Sequence, residues 1–246
     1  GIDKGIYISY DDGGTWNRLR NNLPPAPVYW LEIQERFDDL VVGTYGRGFY
    51  ILDDVSAIRE GDKLNNQAKL FKPRDAYRFN NKESIKTDGG SNNSGQNPQY
   101  GAMLNYYLPD GVKEASIEIY TPEGVLVRTL TPRSKNKGVG RTAWDLRYES
   151  TFRPQLQVQP PGRPWVQLNG EGWRPLVTWD LDLNAGQRGP RVAPGTYTAK
   201  LNVDGQFYSE EFEVLKDPIS EGTLDDIKAQ VAFSLELRDA MNIAVN

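Results

Sequence analysis

Apolar residues in this chain fall into short runs with a period of two, and the spacing changes to three and four only near the end. Gly5-Ile6-Tyr7-Ile8, Val28-Tyr29-Trp30-Leu31-Glu32-Ile33, Leu40-Val41-Val42-Gly43-Thr44-Tyr45 and Phe49-Tyr50-Ile51-Leu52 each predict a strand. Asp38-Asp39 and Gly46-Arg47-Gly48 supply corners between them. Six more strands are predicted over 102–108, 115–120, 125–130, 141–147, 195–203 and 206–215. In Ser116-Ile117-Glu118-Ile119-Tyr120 the alternation is clean, so one face is buried and the other wet. Hairpin turns are expected at Thr121-Pro122-Glu123-Gly124 and Val203-Asp204-Gly205-Gln206. In 219–246, Thr223 is a natural N-cap with Asp225 and Asp226 in the first turn. Leu224, Ile227, Val231 and Leu235, flanked by Phe233, Leu237 and Met241, then predict an amphipathic helix of about five or six turns packed on the same molecule.

These elements divide the chain into a first section over 1–58, a polar linker over 59–66, a second section over 67–218 and the helical tail. Within the second section, 68–79 is an extended entry segment that Pro73 keeps from being helical. Residues 80–99 form a long loop rich in Asn, Ser and Gly. Residues 148–192 are irregular and carry Trp165, Trp173 and Trp179. The six strands predict an antiparallel β-sandwich of immunoglobulin or fibronectin type, without the immunoglobulin disulfide. Three uses suit the tryptophans: docking the sandwich on the first section, binding a partner protein, or stacking on sugar rings.

Ser9-Tyr10-Asp11-Asp12-Gly13-Gly14-Thr15-Trp16 reads S-x-D-x-G-x-T-W. Asp11 can accept hydrogen bonds from residues just beyond it and close a tight turn. Gly13 and Gly14 are expected to supply positive φ, and Trp16 to fill the space under the hairpin. The pattern resembles the Asp-box, or bacterial neuraminidase repeat. The resemblance implies the hairpin between the two outer strands of a β-propeller blade, as in sialidases and sortilin-type receptors, where the box is structural and lies away from the active site. Strands 5–20 then look like the outer half of one blade, and 28–52 like the inner three strands of the next, roughly one and a half blades. A blade relies on its neighbours to cover its faces. Residues 1–58 are therefore not expected to fold alone, and the remaining blades are expected upstream or on another chain.

Residues 39–54 resemble the last blade of large bacterial exported proteins of the sortilin-like or glycosyl-hydrolase-like kind. That family commonly has His where Tyr45 stands and Trp where Tyr50 stands, a departure that weakens any catalytic carry-over. Thr142-Ala143-Trp144-Asp145-Leu146-Arg147 and Ala193-Pro194-Gly195-Thr196-Tyr197-Thr198 are similar to the flagellar-hook-cap type immunoglobulin-like domain that follows the propeller there. The resemblance implies an extracytoplasmic location: periplasmic, outer-membrane-associated or secreted.

Composition narrows the chemistry. The 246 residues include no Cys and no His, which removes disulfides, thiolate and imidazole metal ligands, and the Ser-His-Asp triad. A net charge of −4 argues against nucleic acid as a partner, and no apolar run approaches membrane-spanning length. Sialidase-type catalysis needs an arginine cluster, a tyrosine with its carboxylate, and an acid around the propeller axis. Tyr45 and Arg47 alone do not make that set. The paired carboxylates Asp11-Asp12, Asp38-Asp39, Asp53-Asp54 and Asp225-Asp226 are each explained by a turn or a cap. No cofactor is expected, although an Asp-rich turn could take a structural Ca²⁺. The expectation is a non-catalytic recognition or scaffolding module with Tyr45, Arg47, Trp165, Trp173 and Trp179 as the candidate ligand or partner surface. The alternative is the C-terminal part of a carbohydrate-active enzyme whose catalytic residues lie in upstream blades.

Overall fold

In β9 (Ala115–Tyr120) and β12 (Gly195–Val203), every second residue turns inward: Ile117, Ile119, Tyr197, Ala199 and Leu201 are buried, while their neighbours face out. A computed structural model describes residues 5–19, 23–79, 98–152, 156–159, 161–174 and 188–245. With 37% strand and 14% helix, the chain is mainly β, with a curled half-barrel sheet and one C-terminal helix.

The first section contains β1 (Ile6–Ile8) and β2 (Asn17–Leu19), an antiparallel hairpin, and then β3 (Val28–Gln34), β4 (Asp39–Thr44) and β5 (Phe49–Leu52), an antiparallel sheet in sequence order. Ile6, Val28, Leu40, Val42 and Val55 form its small core, with Leu19, Ile33, Tyr50 and Leu52 packed against them. α1 (Ser56–Arg59) closes the first section, and a 3₁₀ turn (Gly61–Lys63) falls within 59–66. Contacts with the rest of the chain hold this stretch in place. The Tyr10 hydroxyl donates to the Ile58 carbonyl (2.7 Å), Lys69 pairs with Glu60, and Ala57 is buried against Phe71 and Tyr107.

Beyond it follow β6 (Lys69–Leu70), β7 (Ala76–Arg78), β8 (Ala102–Leu108), β9, β10 (Leu126–Leu130), β11 (Gly138–Trp144), β12 and β13 (Gln206–Lys216). The six strands expected here all occur, and β6 and β7 add short pairings within the entry segment. A five-stranded sheet runs β10-β9-β12-β13-β7, and a three-stranded one runs β11-β8-β6. All neighbours are antiparallel except β7, which pairs parallel with β13. The two sheets share one core, centred on the fully buried Trp144. Tyr197 and Phe212 pack on it at ring-centroid distances of 5.4 and 6.0 Å.

β11 covers 138–144, not 141–147. Leu146 takes φ +58°, which ends the strand, and its side chain drops into the core. The Trp144 indole N–H then donates to the Arg147 carbonyl (2.9 Å), closing the turn. The C-terminal helix, α2 (Leu224–Val245), is capped as expected by Thr223, whose Oγ1 accepts from the Asp226 N–H (3.1 Å). It is buried only at Ile227 and Val231, while Phe233, Leu237 and Met241 are exposed. Apolar burial thus uses the first half of the helix; the second half is held by Arg238 over the Tyr148 ring and by Asn242 Oδ1, which accepts from the Phe152 N–H (2.8 Å), and the flanking apolar row stays in solvent.

Candidate binding surface

In the β1–β2 turn, Asp11 acts as the central acceptor. Its Oδ1 takes the Thr15 N–H (2.8 Å) and the Ser9 hydroxyl (2.8 Å), and its Oδ2 takes the Thr15 hydroxyl (2.7 Å). Ser9 Oγ in turn accepts from the Gly13 N–H (2.8 Å). Positive φ falls on Asp12 and Gly13 rather than on Gly14. Gly14 is needed for room instead, since an added Cβ would lie 3.1 Å from Asp11 Oδ2. Trp16 does not fill the space under the hairpin. Its indole N–H donates to the Gly13 carbonyl (3.0 Å), which folds the ring over the outside of the turn and leaves it 61% exposed. Ile6 and Leu19 occupy the inner side.

The hydrogen bonds from Thr15, then from Ser9, hold the Asp11 carboxyl well below the usual 3.8, at about 2. A carboxylate with a depressed folded-state pKa stabilises the fold above its unfolded pKa, and that contribution is lost as pH falls toward the folded value. The hairpin is expected to loosen between about pH 4 and pH 2. Amide exchange at Thr15 checks this: protection should fall through that window in the native chain and be low at every pH in Asp11→Ala. Three of the roughly four acceptor positions of the Asp11 carboxylate are thus taken by Ser9 and Thr15. Among the described residues, no three His, Cys, Asp or Glu side chains are grouped to hold a metal.

The β3–β5 sheet has two unlike faces. On one, Val42, Tyr50, Ile33, Leu40 and Leu52 pack into the core shared with the hairpin. On the other, the register sets Trp30, Gly43 and Phe49 side by side, and Glu32, Val41 and Ile51 next to them. Trp30 is 69%, Phe49 82% and Ile51 63% exposed. Gly43 sits between Trp30 and Phe49: an added Cβ there would meet Trp30 Cβ at 3.4 Å and the Phe49 ring at 3.7 Å, ordinary contact distances. At the end of this sheet Tyr45 packs edge-on against Tyr29 at 5.5 Å, and both are largely exposed. Arg47 is exposed on the corner between Gly46 and Gly48, and no ion pair joins it to a carboxylate among the described residues.

The tryptophans of 148–192 are not one exposed cluster. Trp165 is 69% exposed, but Trp173 is half-buried, its backbone N–H donating to Asn169 Oδ1 (2.9 Å). Trp179 lies outside the described residues, as does the expected loop 80–99 apart from its last two positions.

Sequence reasoning missed a polar hub between the sections. Asp54, assigned to a turn, is indeed at φ +51°, but it is also only 1% exposed. Its Oδ2 accepts from Asn105 Nδ2 (2.8 Å), and its Oδ1 from the Ser56 hydroxyl (2.6 Å). Arg74 Nε approaches the carboxylate at 3.5 Å. Arg141 donates Nε to Asn105 Oδ1 (2.7 Å) and Nη2 to the Asp53 and Asp54 carbonyls (2.6 and 2.8 Å). Burial, then the nearby Asp39, pushes the Asp53 carboxyl up. A polar Asn at the fourth place of an otherwise apolar strand, β8, was the available signal.

Comparison with known proteins yields no matching family model, curated protein or solved structure. Among the described residues, no helix is long and apolar enough to cross a membrane.

Proposed function

We propose that the chain is a non-catalytic recognition or scaffolding module of an exported cell-envelope protein. On this reading its first section is the last part of a β-propeller, and the two sheets around Trp144 form an immunoglobulin-like sandwich. The observation that carries it is the outer face of β3–β5. Trp30, Phe49 and Ile51 form a contiguous exposed apolar strip on a sheet whose other face is already packed. Such strips mark surfaces that another element covers. In a propeller that element is the sheet of the next blade. The Asp-box hairpin, built from mutually satisfied side chains, supports the same reading.

A catalytic role for this chain finds less support. Tyr45 and Arg47 are exposed at a sheet end, with no carboxylate paired to Arg47 among the described residues. The carboxylates near the section boundary are held by arginines, Ser56 and Asn105.

A photo-crosslinking residue at position 49, in the protein made by its own cells, tests the reading. The expected adduct is with a strand-forming segment that carries a further Asp-box, upstream in the same polypeptide or on another chain. If position 49 gives no adduct, or gives the same unrelated adducts as a control at the half-exposed Leu126, the propeller reading falls.

A further inference from the structure

An open cleft of about 620 Å³ lies between the first half of α2 and the end of the five-stranded sheet. Four cationic side chains line it: Arg78, Arg147, Arg191 and Lys216. Its two carboxylates, Asp217 and Asp226, leave an excess of two positive charges. Asp226 turns back into the helix cap, accepting from the Thr223 hydroxyl (2.6 Å) and N–H (3.0 Å), and Asp217 accepts from the Ile219 N–H (3.0 Å).

The cations are also crowded. Arg78 and Lys216 are register partners on the parallel strands β7 and β13, so two like charges stand side by side. Burial, and then the neighbouring Arg191, push both the Arg78 and the Arg147 guanidinium groups down. Their hydrogen-bond acceptors are neutral. Arg78 donates to the Val192 carbonyl (2.9 Å) and to Gln230 Oε1 (3.1 Å), and Arg147 to the Gly189 carbonyl (2.7 Å). Among the described residues, no carboxylate lies within ion-pair distance of Arg78 or Arg147. Half-buried like charges held against neutral oxygens cost stability unless an anion joins them. The Lys216 ammonium donates to the Ser220 carbonyl, another neutral oxygen, and each guanidinium keeps further N–H donors of the kind that suit the oxygens of a phosphate group. The volume is that of a small-molecule site.

We propose that this cleft binds a small dianionic molecule of the phosphate-monoester class, with its phosphate held by Arg78 and Arg147 and further positive charge supplied by Arg191 and Lys216. The site is independent of the propeller reading, because every residue lining it belongs to the second section or the tail.

The test uses the full chain in calorimetric titrations with inorganic phosphate and with phenyl phosphate, at an ionic strength held constant with sodium chloride. Both should bind, and phenyl phosphate should raise the unfolding temperature. Gln230→Glu places a carboxylate against Arg78 without removing any buried arginine. It should weaken phosphate binding at least tenfold while leaving the ligand-free unfolding temperature unchanged or higher. Arg147→Lys, which keeps the charge but loses the fork, should weaken binding several-fold. The proposal is overturned if the native chain shows no heat or stabilisation beyond the chloride control, or if Gln230→Glu binds phosphate within twofold of it.

Discussion

Gly101→Ala is expected to destabilise the protein by about 3 kcal/mol, a drop of roughly 6–12 °C in unfolding temperature for a chain of this size. Two effects combine. Gly101 sits at φ +117°, where an L side chain is strained, and its Cβ would come within 1.9 Å of the Trp144 carbonyl oxygen. That oxygen is backbone at the end of β11, beside the largest buried ring of the core, so neither partner moves cheaply. Gly138→Ala separates the two effects. Its φ is +124°, yet nothing lies within 4 Å of an added Cβ. It should lose only about 1 kcal/mol. Thermal unfolding of both variants checks this, and equal losses would show that close approach at Gly101 contributes nothing.

Asp54→Ala is expected to cost about 3 kcal/mol, because it strips acceptors from a group of buried donors. Asn105, 2% exposed, would keep its Nδ2 hydrogens with no partner in place of the carboxylate. Asp54→Asn keeps an acceptor oxygen and should lose less. Denaturant unfolding of Asp54→Ala, Asn105→Ala and the double variant measures the coupling. The double variant should be less destabilised than the sum of the singles by 1 kcal/mol or more. Strict additivity would mean that Asp54 and Asn105 act separately.

Local patterns carried most of the strand assignment. The period-two runs of β9 and β12 and the strong turn residues between them leave little freedom, and the six long strands fall close to where alternation puts them. The ends were less legible. β11 stops early because Leu146 leaves the strand conformation to bury its side chain, a decision made by the core and not by its neighbours in sequence. The helical turns around 59–66 were not legible because their anchors, Tyr10, Phe71 and Tyr107, lie elsewhere in the chain. Trp16 went the other way for a local reason: its indole N–H found a carbonyl three residues back. The arginine cleft was invisible in sequence, since Arg78, Arg147 and Arg191 are far apart and meet only when β7 joins the sheet. Arg147 was singled out only as part of a strand motif.

That joining of β7 also sets an order of events in synthesis. Ala76 pairs with Val214 across a stretch of 138 residues bridged by one sheet edge. Every other strand in that sheet finds a partner among β9 to β13, but β7 is made first and must wait for the last of them. At cellular elongation rates the wait is on the order of ten seconds. During that interval Ala76, Tyr77 and Arg78 are an unpaired strand edge on the nascent chain, and the contact that closes the sheet is the one with the largest loop to close. A ribosome-bound chain stalled before residue 206 should therefore leave this segment open to proteases and chaperones, while one released past residue 216 has it sealed.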